Sequence, residues 1–565
     1  MDHPVQNPDE VDELRAGATE LENHAIDEFL AGRISRRDFL LRGSMLGISL
    51  PALSVIQAAR GGGGSTSLSR DVVRRSAKRS ATIRVADQVP AATPNPLLTT
   101  DNGGEAVVCQ TCEYLCRNDS LAGVVRPVLA TSWSPNSDGS QWTFKLRPNV
   151  HFSNGKPMTA DDVVYSFREQ CDPKNASNAL SVVFGGLLRP SGVEKVDHLT
   201  VRFHLESPTG SFPYLVCATD NWDMIIVPNG TDFSTWVNTM IGTGPLVRKS
   251  YTTNVGASFV ANPHWWNGQV NSAGVDFLFY QNQQSQVLAL EGGEVDVIVN
   301  MVYEGAQALF NNPAYSVVAL PSSSHRELSM RTDKPPFNDR RVRQAIALTL
   351  DRPAIAKALF GKYAQVGNDS VFAPAFPSTN TKVPQRHQDL AKAKQLLAAA
   401  GYPHGFHATM YTEQYQEIPQ LAQIVAASAA KIGVTINLII ESQNAYYGKS
   451  TLGHSDWLDG EMSLGDYAAR GVPNTDLTAI WASTGAWNAS RYHNPTLDRL
   501  IKQYTSTVDL SSQRTIAGKI ETLLLDETPV IVPYFFDELN VTTRNISGVE
   551  FDPGGLLFMG KASKA

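Results

Sequence analysis

Three cysteines crowd into one short stretch, and their spacing is the first in the chain that could do chemistry. Thiolates at Cys109, Cys112 and Cys116 could together hold zinc or an iron–sulfur cluster. A structural zinc site takes four ligands, and no neighbouring Cys or His supplies the fourth. Cys171 and Cys217 stand alone, and a total of five leaves an odd thiol if the chain is oxidised. One of the clustered cysteines could bridge to Cys217 or Cys171 in an oxidising compartment. The expectation is a set of ordinary buried thiols, with no metal and no cofactor.

Hydrolytic signatures are missing as well. Ser322-Ser-Ser-His325 could set a hydroxyl beside a base, but it reads as a loop joining two parts of the molecule. No His-Glu-x-x-His and no Gly-x-Ser-x-Gly occurs. The run Gly242-Thr-Gly-Pro-Leu-Val-Arg-Lys-Ser250 has the wrong spacing for a phosphate-binding loop. Arg340, Arg341 and Arg343 could gather an anion, or form a solvated helix face with partners nearby, and the second reading is preferred. The sequence therefore predicts a binder, not an enzyme.

Such residues must be held by something large. The chain has 565 residues, 42% of them hydrophobic and 18% charged, which suits two or three globular units. A formal charge of −7 offers nucleic acid no basic field. No apolar run reaches the roughly 18 to 20 residues of a membrane span, and the best stretch, 43–59, is diluted by Gly, Ser and Pro51.

The first 59 residues read as an address. Ser35-Arg36-Arg37-Asp38-Phe39-Leu40-Leu41, followed by a weakly apolar stretch, has the form of a twin-arginine export signal. Arg36, Arg37, Phe39 and Leu40 would engage the twin-arginine translocase. Export would place the protein in the periplasm or on the outer face of the cytoplasmic membrane. Gly61 to Gly64 and a basic run to Arg79 make residues 60–80 a flexible linker.

Past that point the patterning is regular. Residues 81–88 alternate like a strand, as do Trp142, Phe144 and Leu146 against Thr143, Lys145 and Arg147. Thr159 and Asp162 form a capping box that starts a helix. Leu199 to Leu205 alternates again, with His204 on the polar face. Helical spacing marks 339–350, 389–400 and 419–431, the second closed by Gly401 and Pro403. A strand over 434–440 completes an alternation of helix and strand that indicates an α/β unit.

Read in order, these segments carry a resemblance. Pro127–Trp133, Asp138–Arg147, Val150–Phe167, Gly242–Pro245, Asn262–Trp266, Leu290–Val297 and Phe337–Ile346 with Asp351-Arg352 resemble the extracellular solute-binding proteins of family 5. These feed oligopeptide, dipeptide and nickel importers of the ABC type. The likeness spans about residues 81 to 560. It implies an α/β, large two-lobed periplasmic-binding-protein fold (class II, cluster C-like), with hinge strands and an extra subdomain in the first lobe. Implied boundaries are 81–325 for the first lobe (subdomain about 125–240), 326–528 for the second, and 529–565 for a return to the first.

The implied function is capture of a peptide or peptide-like solute between the lobes by a monomer, and delivery to an ABC permease and ATPase. A metal chelate, an opine-like or anionic solute, or a chemosensory role are the alternatives. Many related proteins carry a lipidated cysteine before a glycine run like this one; Arg60 stands there instead. The resemblance also places the three clustered cysteines on a helix, facing one way.

In the peptide-binding branch an aspartate ahead of the segment corresponding to 476–483 pairs with the ligand's free amine. Here the stretch reads Gly465-Asp-Tyr-Ala-Ala-Arg470. Asp466 could receive an amine, or Arg470 could accept a ligand carboxylate, or the two could satisfy each other as a structural pair. Tyr467 and Trp457, beside them, could stack on ligand side chains.

Overall fold

The computed structural model describes residues 81–99, 101–118, 125–218 and 223–565, together with Ile26 and Leu30. The export-signal residues Arg36, Arg37, Phe39 and Leu40 and the 60–80 linker lie outside the described residues.

Two mixed sheets of seven strands each organise the chain from residue 81 onward. The first is built on Ile83–Gln88, which lies parallel to Gly274–Tyr280 on one side and Val297–Met301 on the other. Its Ile83 and Val85 are buried, as expected of a central strand covered on its faces. Helices Gln283–Glu291 and Tyr303–Phe310 pack along this sheet. The second sheet is centred on His325–Met330, antiparallel to Met462–Tyr467, which in turn runs parallel to His407–Glu413.

A separate four-stranded antiparallel sheet lies between residues 130 and 204. Trp142, Phe144 and Leu146 point into its core, where Phe144 meets Phe203 edge-on at 5.4 Å between ring centroids. The helix Ala160–Cys171 opens on the capping box read from sequence. The Thr159 hydroxyl accepts from the Asp161 amide at 3.2 Å, and Asp162 accepts the Thr159 amide at 2.8 Å. His204 is exposed and paired with Glu194.

The chain passes between the two large sheets twice. The first passage runs from the strand Tyr315–Leu320 to His325–Met330, the second from Tyr534–Phe536 to Glu538–Thr543. The segments touch: the Ser322 hydroxyl donates to the Phe536 carbonyl at 2.7 Å, and Ser324 Oγ donates to Glu538 Oε1 at 3.0 Å. Val530–Ile531 and Tyr534–Phe536 still pair within the second sheet, so the chain leaves it only at Asp537.

Two readings are corrected. The helix Asn102–Val108 ends before the cysteines: Cys109 caps it, Cys112 comes just after the turn that follows, and Cys116 begins a short strand. All five cysteines are buried thiols, and Cys116 Sγ lies 3.3 Å from Cys217 Sγ. The arginines of the helix Arg340–Ala347 are not one solvated face. Arg340 and Arg341 are exposed and paired, with Asp526 and Asp339, whereas Arg343 is buried and donates to the carbonyls of Phe337, Glu527 and Thr528. A guanidinium can enter the core there because carbonyls receive it.

Candidate functional site

A cavity of about 770 Å³ opens where the two large sheets face each other across the passages. Its first wall is made by Asp87 and Asn300 on strands of the first sheet and by Gln286 on the helix beside them. Its second wall carries Tyr415, Gln416 and Asp466, and its floor is Ser324, Phe536, Asp537 and Glu538. Among the described residues lining it, six are Asp or Glu and none is Lys, Arg or His. Tyr280, Tyr303, Phe360 and Phe536 add aromatic surface. The result is a polar, acidic chamber with stacking faces, of a size suited to a small solute.

The second wall is built around a buried arginine. Strand register sets Arg326 opposite Asp466, so the two side chains share a face of the sheet. Arg326 is fully buried. Its Nε and Nη2 reach the two oxygens of Glu417 at 2.8 and 3.0 Å, its Nη1 reaches Asp466, and its Nη2 also reaches Gln416 at 2.6 Å. The guanidinium lies 4.5 Å from the Phe536 ring, and Tyr534 donates to Glu417 at 2.9 Å. One cation therefore serves two carboxylates, Glu417 and Asp466.

Of those two, Asp466 lines the cavity, with 28% of its side chain exposed. Burial raises its pKa and Arg326 opposes that rise. At the floor, burial pushes Glu538 up to about 7, against the hydrogen bond from Ser324. The arrangement holds an acid at the meeting point of both sheets and leaves its charge incompletely compensated. That is what an ammonium group requires.

Structure separates the residues grouped by sequence. Asp466 and Arg470 do not pair with each other, which removes the structural-pair reading. Asp466 takes Arg326, while Arg470 Nε approaches Asp476 at 3.9 Å and the Arg470 amide donates to Ser323 Oγ at 2.7 Å. Three residues beyond the strand end, the chain has turned, so Arg470 is carried away from the chamber lined by Asp466 and Ala468. Trp457 and Tyr467 are core residues: the indole donates to the Tyr467 hydroxyl at 3.0 Å, and Tyr467 stacks on buried His325 at 5.5 Å. Neither lines the cavity.

Arg326, Glu417, Asp87 and Glu538 escaped the sequence reading. The signal for the first was available: His325-Arg-Glu puts three ionisable residues in one strand, and all are buried. The others lie far apart in sequence and only the fold gathers them.

The model of the bacterial extracellular solute-binding proteins, family 5 (middle), matches residues 124–489. Heme-binding protein A of Haemophilus influenzae is 25% identical over 439 residues, covering 72% of this chain and 78% of that protein. The periplasmic murein peptide-binding protein MppA of Escherichia coli is 27% identical over 442 residues, covering 74% and 81%. A solved structure of the periplasmic binding protein DppA from Helicobacter pylori, in complex with the peptide STSA, superposes with a TM-score of 0.70. It covers 86% of this chain and 98% of its own, at 21% identity, a likeness of fold.

Proposed function

The chain belongs to the bacterial extracellular solute-binding proteins of family 5, and from that premise we propose that it captures a small peptide-like amine between its two lobes for an ABC importer. The observation that carries this reading is Asp466, an acid exposed to the chamber whose arginine is shared with Glu417. A protonated amino terminus placed there would complete the charge balance with charge-assisted hydrogen bonds. The aromatic faces of Tyr280, Tyr303 and Phe360 would cover the rest of the ligand without demanding a particular side chain.

Nothing in such a device has to react. A ligand that touches both walls stabilises the closed arrangement, and binding shifts a population of open and closed forms. A permease would recognise the closed form, and its ATPase would supply the energy. Export through the twin-arginine route, read from Arg36 and Arg37, would deliver the folded protein to the outer side of the cytoplasmic membrane.

Mass spectrometry of the solute released from the purified protein by mild denaturation tests the reading. An intact molecule with a free amine, whose retention falls in Asp466→Asn, is the expected outcome. A solute without an amine, or one chemically converted by the protein, would refute it. Replacing both Arg36 and Arg37 with Lys should hold the protein in the cytoplasm, and unchanged export would remove the twin-arginine part alone.

A further inference from the structure

Two of the five buried cysteines meet. Cys116, the first residue of the strand Cys116–Asn118, and Cys217, just past the helix Phe212–Leu215, are bridge partners on neighbouring stretches of backbone. Their sulfurs lie 3.3 Å apart, and both side chains are fully buried. The other three sulfurs keep different company. Cys109 Sγ donates to the carbonyls of Ala106 and Leu557 at 3.4 and 3.3 Å, and Cys112 Sγ sits 3.8 Å from Thr111 Oγ1. Cys171 ends the helix Ala160–Cys171.

The backbone at this pair meets what a disulfide requires. Bridge pairing sets two Cα atoms at roughly the spacing of neighbouring strands, about 5 Å, inside the window of about 4.4 to 6.8 Å that the bond spans. The sulfurs have to approach by about 1.3 Å more, which small side-chain rotations supply. Little holds the pair reduced. Both thiols donate to one acceptor, the Pro213 carbonyl, at 3.3 Å from Cys116 Sγ and 3.1 Å from Cys217 Sγ, and a thiol is a weak donor.

We infer that Cys116 and Cys217 close into a disulfide once the protein meets an oxidising exterior. The oxidant is an external disulfide, on an oxidoreductase or a small thiol carrier, met when this segment opens locally. One cysteine thiolate attacks it, forms a mixed disulfide and releases one external thiol. The second cysteine thiolate then attacks the first cysteine's sulfur and releases the other. The protein loses two protons and two electrons, and the external sulfurs carry them away as two thiols. The bond closes a loop whose ends are 101 positions apart, a length at which cross-linking restricts the unfolded chain strongly. It also anchors the root of a contact between the lobes. A few residues before Cys217, the Gly210 amide donates to the Thr505 carbonyl at 2.9 Å, and Gln513 Nε2 reaches Ser211 Oγ at 3.4 Å. This chemistry needs no ligand, so it stands or falls apart from the amine site at Asp466.

Thiol counting on the purified full chain tests the pair. After incubation with oxidised glutathione, alkylation in guanidinium chloride should label three of the five cysteines. An unreduced digest should contain one cross-linked peptide that joins Cys116 to Cys217. The oxidised chain should melt about 5 to 10 °C above the same chain kept in dithiothreitol. Cys217→Ala should leave its four remaining cysteines open to alkylation and abolish that difference, and Cys116→Ala serves if the first variant does not fold. Cys112→Ala should keep the cross-link. Five labelled cysteines, a glutathione adduct without the cross-link, a cross-link through Cys109, Cys112 or Cys171, or equal melting temperatures would each overturn the assignment.

Discussion

The two walls of one cleft handle buried polarity in opposite ways. On the second lobe, Arg326 is enclosed by Glu417, Asp466 and Gln416, with Tyr534 and Phe536 around them, and every nitrogen of the guanidinium is engaged. On the first lobe, Asp87, Gln286 and Asn300 keep acceptors that no donor among the described residues meets. The first arrangement is a pre-assembled scaffold that presents one acid in a set position. The second is a set of enclosed acceptors that burial has stripped of water without supplying a donor among the described residues.

The largest break in this comparison should come from Arg326→Met. Removing the cation leaves Glu417 and Asp466 buried beside each other, and loss of one partner from a buried pair costs about 3–5 kcal/mol. Urea denaturation should show that loss as a lower midpoint. A midpoint within error of wild type would mean the carboxylates find other partners, and the scaffold description would fail.

Next in size is Asp466→Asn, which keeps the shape and removes the charge. Affinity for any amine-bearing probe should fall about 10- to 100-fold by calorimetry, with the denaturation midpoint little changed. An unchanged affinity would move the amine site elsewhere.

A smaller effect, but one with a distinctive sign, belongs to the first wall. Burial pushes Asp87 up to about 8 from an ordinary value of 3.8, with Asp101 adding to the rise and the Gln88 amide opposing it. The folded protein therefore holds a proton that the unfolded chain releases near pH 4. Stability falls as pH rises from about 4 to about 8, in the sense that linkage requires when the native state binds more protons. Glu538, raised to about 7, acts in the same direction. Asp87→Asn should flatten this slope, so that the variant gains melting temperature over wild type at pH 8 and less at pH 5. A wild-type melting temperature independent of pH across this range would contradict the account.

The smallest expected change lies far from the cleft. Thr159→Ala removes the cap of the helix Ala160–Cys171 and should cost about 1 kcal/mol, with no effect on calorimetric affinity. A loss of binding there would show that the small subdomain communicates with the chamber.

Legibility in the sequence followed range. The capping box at Thr159 and Asp162, the alternation of Trp142, Phe144 and Leu146, and the helix stop at Gly401 are local, and the structure has each of them. The cysteine helix failed because Cys109 is already the cap: a spacing that would place three thiols on one helical face says nothing about where the helix stops. Arg343 failed because a run of arginines gives no sign that one of them meets carbonyls from a distant helix end. Asp466 and Arg470, grouped by sequence, part company for one reason. Three residues lie between them, but a strand ends there, and the turn that follows leaves one at the chamber and the other near Asp476.

What the sequence determined by itself is the set of pieces whose information is short-ranged: the strands and capped helices, the absence of recognisable hydrolytic or phosphate-binding motifs, and the ordered segments that mark the family. What only the tertiary structure decided is charge balance. Asp87, Gln286, Asn300, Arg326, Glu417, Asp466 and Glu538 span more than 450 positions, and whether each is satisfied depends on neighbours that only folding supplies. Solvation is a property of surroundings, so an acid's role in this cleft cannot be read from the residue or from those beside it in the chain.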